Sequence, residues 1–125
     1  MEKDGVPLAV SIGDPSGIGP EIAIAAWQNR QGNATPPFYL LADPAVVAAR
    51  AQMLGIDIPL AETEPSRACD LFRSSLPVAP LSSRFSNQPG IPDSANAQGV
   101  IEAIDRAVDD CFGGKAAAVV TCPIA

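Results

Sequence analysis

The residues with the clearest chemical potential form a glycine-rich segment near the amino terminus, Gly13–Glu21, with the sequence GDPSGIGPE. It follows the apolar run Leu8–Ile12, which predicts a β-strand, and Pro20 and Glu21 are typical of the first turn of a helix. Glycines at such a strand-to-helix junction can adopt positive φ and let the backbone approach a ligand closely. The first N–H groups of the helix favour an anion or the polar edge of a nucleotide.

The glycine spacing, G-x-x-x-G-x-G, matches neither the dinucleotide fingerprint nor the phosphate-binding loop that ends in Gly-Lys-Ser/Thr. Two interpretations therefore stand. In the first, the turn binds a cofactor through Gly13, Asp14, Gly17 and Gly19. In the second, the glycines only make a tight turn and Asp14 caps the helix. We interpret Glu21 as a charge that complements the helix dipole rather than as a ligand residue.

A second part of the candidate site follows the last apolar run, Ala117–Thr121, which predicts a strand covered on both faces, as in parallel sheets. The carboxyl ends of such strands carry binding loops, so we expect Thr121 and Pro123 to line a cleft. Cys122 between them is predicted to be a small buried thiol, because no neighbouring base or cation would activate it. We expect residues 1–125 to be the amino-terminal part of a longer α/β enzyme.

The remaining elements alternate between strands and helices. A second strand is predicted at Phe38–Ala42. The helix after it has Asp43 as its cap and Pro44 as its first residue, and Gly55 ends it. The resulting order predicts a layered α/β/α fold with a largely parallel sheet, in which the first and last strands are parallel neighbours.

The longest predicted helix, Ser94–Phe112, is capped by Ser94 and covers one face of the sheet. Its charged residues, including Asp109 and Asp110, are expected on a solvated face rather than in a metal site. Cys69 lies outside this helix and is interpreted, like Cys111, as a packing residue. The apolar face of the helix is predicted to consist of Ala97, Val100, Ile101, Ile104, Val108, Cys111 and Phe112.

The region from Ile58 to Pro92 is irregular, because six of the 13 prolines fall within it. This density favours turns and short strands over a long helix. We expect a short edge strand at Leu76–Val78 and a surface loop over Ser82–Pro92.

Composition excludes several classes of function. The net charge is −6 and there is no histidine, which argues against a nucleic-acid partner and against electrostatic binding to a membrane surface. The amino-terminal residues lack the layout of a signal peptide. Three widely spaced cysteines argue against a disulfide framework and favour a reducing cytoplasm. A zinc site of ordinary composition has almost no ligands to use.

As a complete string, GDPSGIGPE after the strand closely resembles the amino-terminal signature of the 4-hydroxythreonine-4-phosphate dehydrogenases of pyridoxal-phosphate biosynthesis. Ala42–Pro44, the helix end Met53–Gly55 and the stretch Val119–Ile124 support the match. The shorter core Gly17–Glu21 is similar to that of isocitrate and isopropylmalate dehydrogenases, whose fold this family shares. The resemblance therefore implies that fold, incomplete within these 125 residues.

The resemblance also implies an activity: oxidation of 4-phosphooxy-L-threonine with NAD or NADP, followed by decarboxylation, on the route to pyridoxal 5'-phosphate (vitamin B6). A divalent metal (Zn, Mg or Co) would serve as the Lewis acid. Family members bind this metal through histidines from both subunits of a homodimer. Because this sequence has no histidine, we expect the metal ligands, the catalytic residues and the substrate anchors outside residues 1–125, and these residues alone to be inactive.

Two alternatives remain beside this interpretation. One is a non-catalytic module that binds a small anion or a nucleotide at the glycine turn. The other is a related dehydrogenase that acts on another phosphorylated hydroxy acid.

Overall fold

The computed structural model describes residues 6–15, 17–82 and 96–123. The strands are β1 (Leu8–Ser11), β2 (Phe38–Ala42), β3 (Leu60–Glu62), β4 (Leu76–Pro80) and β5 (Val119–Thr121). The helices are α1 (Gly19–Gln28), α2 (Pro44–Met53), α3 (Pro65–Phe72) and α4 (Ala97–Phe112). Strands and helices alternate along the chain, which is the pattern of a layered α/β fold.

The strands form one sheet in the order β3-β4-β2-β1-β5, and the strand pairings in it are parallel. β1 lies between β2 and β5, with Val10 opposite Leu40 on one side and opposite Val120 on the other. The predicted parallel pairing of the first and last strands is therefore confirmed. Parallel neighbours need crossover connections, which the helices between them supply.

Helices cover both faces of this sheet. On one face an apolar cluster joins the strands to α1 and α2, and it includes Val10, Ile24, Trp27, Leu40 and Val47. On the opposite face a second cluster joins the strands to α3 and α4, and it includes Ala9, Tyr39, Leu41, Ala68, Ala103 and Ala107. β2 is buried along its whole length, as expected of a central strand in a parallel sheet. The predicted α/β/α layering is confirmed.

The start of α2 follows the prediction closely. Pro44 is its first residue, and the Asp43 carboxylate accepts a hydrogen bond of 3.1 Å from the backbone N–H of Ala45. This bond satisfies one of the donors that a helix start leaves unpaired. Gly55, with φ of +71°, lies just beyond the helix end, where the left-handed conformation favours glycine.

The proline-rich middle of the chain differs from the prediction. β3 and α3 were not predicted, and β4 is an interior strand between β3 and β2 rather than an edge strand. Leu76 and Val78 are fully buried. Pro77 lies opposite Ala61 of β3, but the pairing of β4 with β2 begins only at Val78. On the β2 side the missing N–H of Pro77 therefore falls before the paired part of the strand. Pro65 is the first residue of α3, a position that suits proline.

Helix α4 is confirmed, but a different part of its surface packs against the sheet. The buried side is made of small residues, Gly99, Ala103 and Ala107, which let the helix approach the strands closely. Of the larger apolar side chains of the predicted face, Val100, Ile104 and Cys111 are half-buried. The others are exposed, Phe112 by 88%, Ile101 by 59% and Val108 by 37%. The predicted cap Ser94 and the predicted loop beyond Ser82 lie outside the described residues.

Polar contacts hold α4 in this orientation. The Glu102 carboxylate accepts a hydrogen bond of 2.8 Å from the Ser82 N–H, and Arg106 donates to the Pro80 carbonyl at 2.7 Å. Both contacts lie at the end of β4. The Tyr39 hydroxyl, which points from β2 to the same helix, donates to Asp110. Burial and the neighbouring Asp110 carboxylate raise the pKa of Tyr39.

The prediction for the last strand is wrong in one respect. β5 is not covered on both faces by the described residues, since Val119 is half-buried and Val120 is 46% exposed. β5 is an outer strand of the described sheet, next to β1 alone. The apolar residues of β5 are therefore not explained by their burial among the described residues.

The orientation of α4 predicts that its small residues matter more to stability than its large ones. We expect Ala103→Leu to lower the free energy of unfolding of the 125-residue chain by about 1–3 kcal/mol, because the larger side chain has no room against the sheet. Phe112→Ser should change it by no more than about 0.5 kcal/mol, because Phe112 makes few buried contacts. Urea unfolding followed by circular dichroism measures both values, and a larger loss for Phe112→Ser would contradict this orientation.

Candidate functional site

The two predicted parts of the site meet at the carboxyl end of the sheet. The turn between β1 and α1 lies beside the segment that follows β5: the Asp14 N–H donates to the Pro123 carbonyl at 3.2 Å, and the Cys122 N–H donates to the Ser11 carbonyl at 3.0 Å. The side chains of Thr121 and Pro123 are exposed at this edge. The structure thus brings these segments together, and their role in binding a ligand stays a prediction.

Two of the three turn glycines are required by contacts within the protein. Gly13 has φ of +74°, and a Cβ atom there would lie 2.3 Å from the Pro123 carbonyl oxygen. A Cβ atom on Gly19 would lie 2.1 Å from the Ile12 carbonyl oxygen. These distances are shorter than any contact that a real Cβ makes, so a side chain at either position would force the turn away from its neighbours.

Gly17 is different. Its backbone has no positive φ, and a Cβ atom there would meet only the Asp14 carbonyl oxygen, at 3.3 Å. The Gly17 N–H donates to that same carbonyl at 2.9 Å, which closes a tight turn from Asp14 to Gly17. The internal packing of the described residues therefore explains Gly13 and Gly19 better than it explains Gly17.

The proposed cap of α1 is not formed by Asp14. The N-cap residue is Ile18, whose side chain makes no capping hydrogen bond. Since the first N–H groups of a helix have no partners within the helix, this end of α1 keeps donors that a ligand could use. The alternative in which Asp14 serves as the helix cap is therefore wrong.

Arg50, which the sequence pattern alone did not single out, lies under the turn. Its side chain comes from α2 and is 1% exposed. One guanidinium nitrogen, Nη2, donates to the Pro15 carbonyl at 2.7 Å, and the other, Nη1, donates to the Gly17 carbonyl at 3.0 Å. Nη1 also lies 3.2 Å from Oε1 of Glu21. Glu21 is therefore an ion-pair partner as well as a first-turn charge.

A signal for Arg50 was present in the sequence. The buried residues of α2 are Val46, Val47, Arg50 and Ala51, so the arginine occupies the apolar stripe of its helix. Arginine is rarely fully buried unless it is paired, and its presence in such a stripe predicts acceptors in the interior. Its Nε atom has no hydrogen-bond partner among the described residues.

The cysteines fit the prediction of packing residues. All three are free thiols, and Cys122 is buried while Cys69 and Cys111 are half-buried. Burial raises the pKa of the Cys122 thiol, which keeps it protonated and unreactive at neutral pH. Burial also raises the pKa of Cys69.

The described residues offer no ready metal site. No group of three or more Cys, Asp or Glu side chains in them is placed to hold a metal ion. The predicted divalent metal therefore does not fit residues 6–15, 17–82 and 96–123, and we derive no step through it. None of the described helices is long and apolar enough to span a membrane.

The fold and the site define a class: an α/β protein that presents a glycine-rich turn and an uncapped helix start at the carboxyl edge of a parallel sheet. In this class, ligands bind at that edge. Within the class, the chain belongs to the family described as pyridoxal phosphate biosynthetic protein PdxA, whose profile matches residues 33–125.

Curated relatives agree with this family. A 4-hydroxythreonine-4-phosphate dehydrogenase of Methylorubrum extorquens is 53% identical over 127 residues, which cover 100% of this chain and 36% of the relative. One from Xanthobacter autotrophicus is 41% identical over 95% of this chain and 34% of the relative. The chain thus spans about a third of the length of the curated relatives it matches.

Solved structures share the fold. The crystal structure of a 4-hydroxythreonine-4-phosphate dehydrogenase from Burkholderia phymatum matches with a TM-score of 0.78 at 17% identity, over 96% of this chain and 37% of that chain. A terephthalate 1,2-cis-dihydrodiol dehydrogenase from Burkholderia xenovorans matches with a TM-score of 0.68 at 25% identity, over 96% of this chain and 34% of that chain.

The contacts of the turn predict an order of stability among glycine-to-alanine variants. Gly55→Ala should cost about 1–2 kcal/mol, because it imposes positive φ on a side chain in open space. Gly13→Ala should cost about 2–5 kcal/mol, because the same strain is joined by a clash with Pro123. Gly17→Ala should cost less than about 1 kcal/mol. Thermal unfolding of the three variants measures this order, and an equal loss for Gly13→Ala and Gly55→Ala would contradict the close contact with Pro123.

Proposed function

We propose that the chain is the amino-terminal part of a 4-hydroxythreonine-4-phosphate dehydrogenase. This enzyme would oxidise 4-phosphooxy-L-threonine with NAD or NADP, and the resulting β-keto acid would lose CO₂ on the route to pyridoxal 5'-phosphate. One observation carries the proposal: a relative with this name matches the whole chain at 53% identity. The membership of residues 33–125 in the same family supports it.

The glycine turn is the part of this chain proposed to contact the cofactor, through the predicted residues Gly13, Asp14, Gly17 and Gly19. The uncapped start of α1 supports this role, because helix N–H groups bind the pyrophosphate of dinucleotides. When it is bound, the nicotinamide supplies a hydride acceptor for the substrate carbon. The packing of Gly13 and Gly19 assigns them to the shape of the turn, and Gly17 is the glycine that a ligand would approach.

The second part of the edge is proposed to line the same cleft. Thr121 and Pro123 are exposed where β5 ends, beside the turn. The hydrogen bond between Asp14 and Pro123 fixes the distance between the two segments, so a ligand at the turn would lie near both. The chain's share of the chemistry is to bind and orient. The side chains that would bind the divalent metal are proposed to lie beyond position 125.

We also propose that the enzyme works in the cytoplasm as a homodimer. The cytoplasmic location is supported by the three free cysteines, which a reducing compartment preserves. The homodimer rests on the family resemblance, in which both subunits supply metal ligands.

A steady-state assay tests the activity. The full-length protein that carries this sequence, supplied with 4-phosphooxy-L-threonine, a divalent metal and either NAD⁺ or NADP⁺, should form the reduced nucleotide. 4-hydroxy-L-threonine, which lacks only the phosphoryl group, should give no turnover and is the matched control. The 125-residue chain by itself should be inactive, because no group of metal-ligating side chains is present among its described residues.

Two results would count against the proposal. Reduction of neither nucleotide by the full-length protein, while NAD⁺ still binds in a calorimetric titration, would favour the non-catalytic module. Turnover of other phosphorylated hydroxy acids but not of 4-phosphooxy-L-threonine would favour the related dehydrogenase.

A further inference from the structure

We propose that Arg50 is a positioning residue for the ligand site: its buried guanidinium orients the backbone of the glycine turn so that amide donors at the start of α1 face the bound cofactor. The proposal rests on the proposed function, in which this turn contacts a nicotinamide cofactor. Arg50 itself lies beneath the turn and would act through Pro15, Gly17 and Glu21.

The first argument is the cost of the arrangement. A guanidinium that is 1% exposed has lost its water, and the loss is compensated only if the donors find acceptors in the protein. Apolar side chains in place of buried ion pairs often leave proteins equally or more stable. The neighbouring buried positions of α2 hold Val46, Val47 and Ala51, so an apolar residue suits this stripe. Stability alone therefore gives no reason for an arginine at position 50.

The second argument is the direction of the peptide groups. Arg50 Nη1 takes the Gly17 carbonyl as its acceptor, so this carbonyl points down toward α2. The described peptide bonds are trans, and in a trans peptide the C=O and the following N–H point in opposite directions. The N–H of Ile18 therefore points away from Arg50. Ile18 is the N-cap of α1, so the bond that satisfies the arginine also directs a donor outward at the helix start.

The third argument is charge. Glu21 lies in the first turn of α1, and its partly exposed carboxylate would repel an anionic ligand at that helix end. Arg50 lies 3.2 Å from this carboxylate and offsets its charge. The same guanidinium therefore supplies two conditions for binding a dinucleotide: the outward N–H of Ile18 and a neutralised acidic neighbour.

Lysine at position 50 preserves the charge but not the geometry. The guanidinium is a planar fork that reaches Pro15 and Gly17 with separate nitrogens, whereas a lysine ammonium is a single point on a flexible stem. Arg50→Lys therefore separates orientation of the turn from neutralisation of Glu21. If orientation matters, the lysine variant should bind the cofactor poorly although the charge is kept.

Arg30→Lys is the matched control. Arg30 also donates to two backbone carbonyls, those of Trp27 at 2.9 Å and Arg73 at 2.7 Å. It lies just beyond the carboxyl-terminal end of α1, at the opposite end of the helix from the glycine turn. Arg30→Lys therefore also replaces a guanidinium that donates to two carbonyls, at a more exposed position and without touching the turn.

The experiment compares both variants with the unmodified full-length protein in three measurements: the KM for the nicotinamide cofactor, kcat, and the melting temperature. We expect Arg50→Lys to raise the KM by about tenfold to a hundredfold with kcat changed by less than about threefold. Arg30→Lys should lower the melting temperature and leave the KM within about twofold. An unchanged KM for Arg50→Lys, at any loss of melting temperature, would overturn the proposal and make Arg50 a structural residue.

Two further measurements keep the result interpretable. If the unmodified protein shows no turnover, the proposed activity fails, and calorimetric titration with NAD⁺ then decides on Arg50: weaker binding to Arg50→Lys than to Arg30→Lys supports positioning, and equal binding overturns it. If Arg50→Lys does not fold, Arg50→Met replaces it, because methionine fills the buried volume without a charge. Arg50→Met must then weaken cofactor binding by at least about tenfold, and normal binding would overturn the proposal.

Discussion

The buried guanidinium of Arg50 is the interaction on which the candidate site depends. Its Nη1 and Nη2 donors are paired with the Pro15 and Gly17 carbonyls and with Glu21, whereas Nε has no partner among the described residues. If the turn relaxed, buried donors would be left unpaired, which costs more than an ordinary hydrogen bond contributes. The turn and α2 therefore behave as one unit. Because the Asp43 cap fixes where α2 begins, the end of β2 helps to determine the shape of the turn that follows β1.

Close approach is the second constraint, and small residues provide it in two places. At the carboxyl edge, Gly13 and Gly19 let the turn lie directly against the Ile12 carbonyl and the segment after β5. On the opposite face, Ala103 and Ala107 let α4 lie directly on the sheet. In both places a small or absent side chain allows the close approach, although such residues contribute little apolar area themselves.

Much of the fold could be predicted from the sequence, because its signals are local. Pro44 and Asp43 mark a helix start through chemistry that needs no tertiary contact, and the apolar run Phe38–Ala42 marks a strand. α4 shows where such reasoning stops. Periodicity predicts an apolar face for α4, but that face is wider than the area that packs against the sheet. Only the neighbouring layers decide which part of the face is buried. The side with Ala103 lies on the sheet, whereas the side with Phe112 is exposed.

The prediction for the proline-rich middle of the chain was wrong for a related reason. Proline was interpreted as a breaker of regular structure, but its effect depends on position. Pro65 begins a helix, and Pro77, although it lies opposite Ala61 of β3, precedes the part of β4 that pairs with β2. Neither position requires the missing N–H. Arg50 is not singled out by any motif, although its spacing with Val46, Val47 and Ala51 places it on the buried side of α2.

Some residues of the glycine motif are needed for folding and others are candidates for binding, and the structure distinguishes the two groups. Gly13 and Gly19 would be needed even if no ligand were ever bound, since a side chain there collides with the protein itself. A motif made partly of such residues says more about the shape of the turn than about the ligand. The proposed ligand contacts concern the part that packing does not require: Gly17, the amide of Ile18 and the arginine beneath them. A buried cation that holds carbonyls inward is one way for a fold to keep amide donors directed outward.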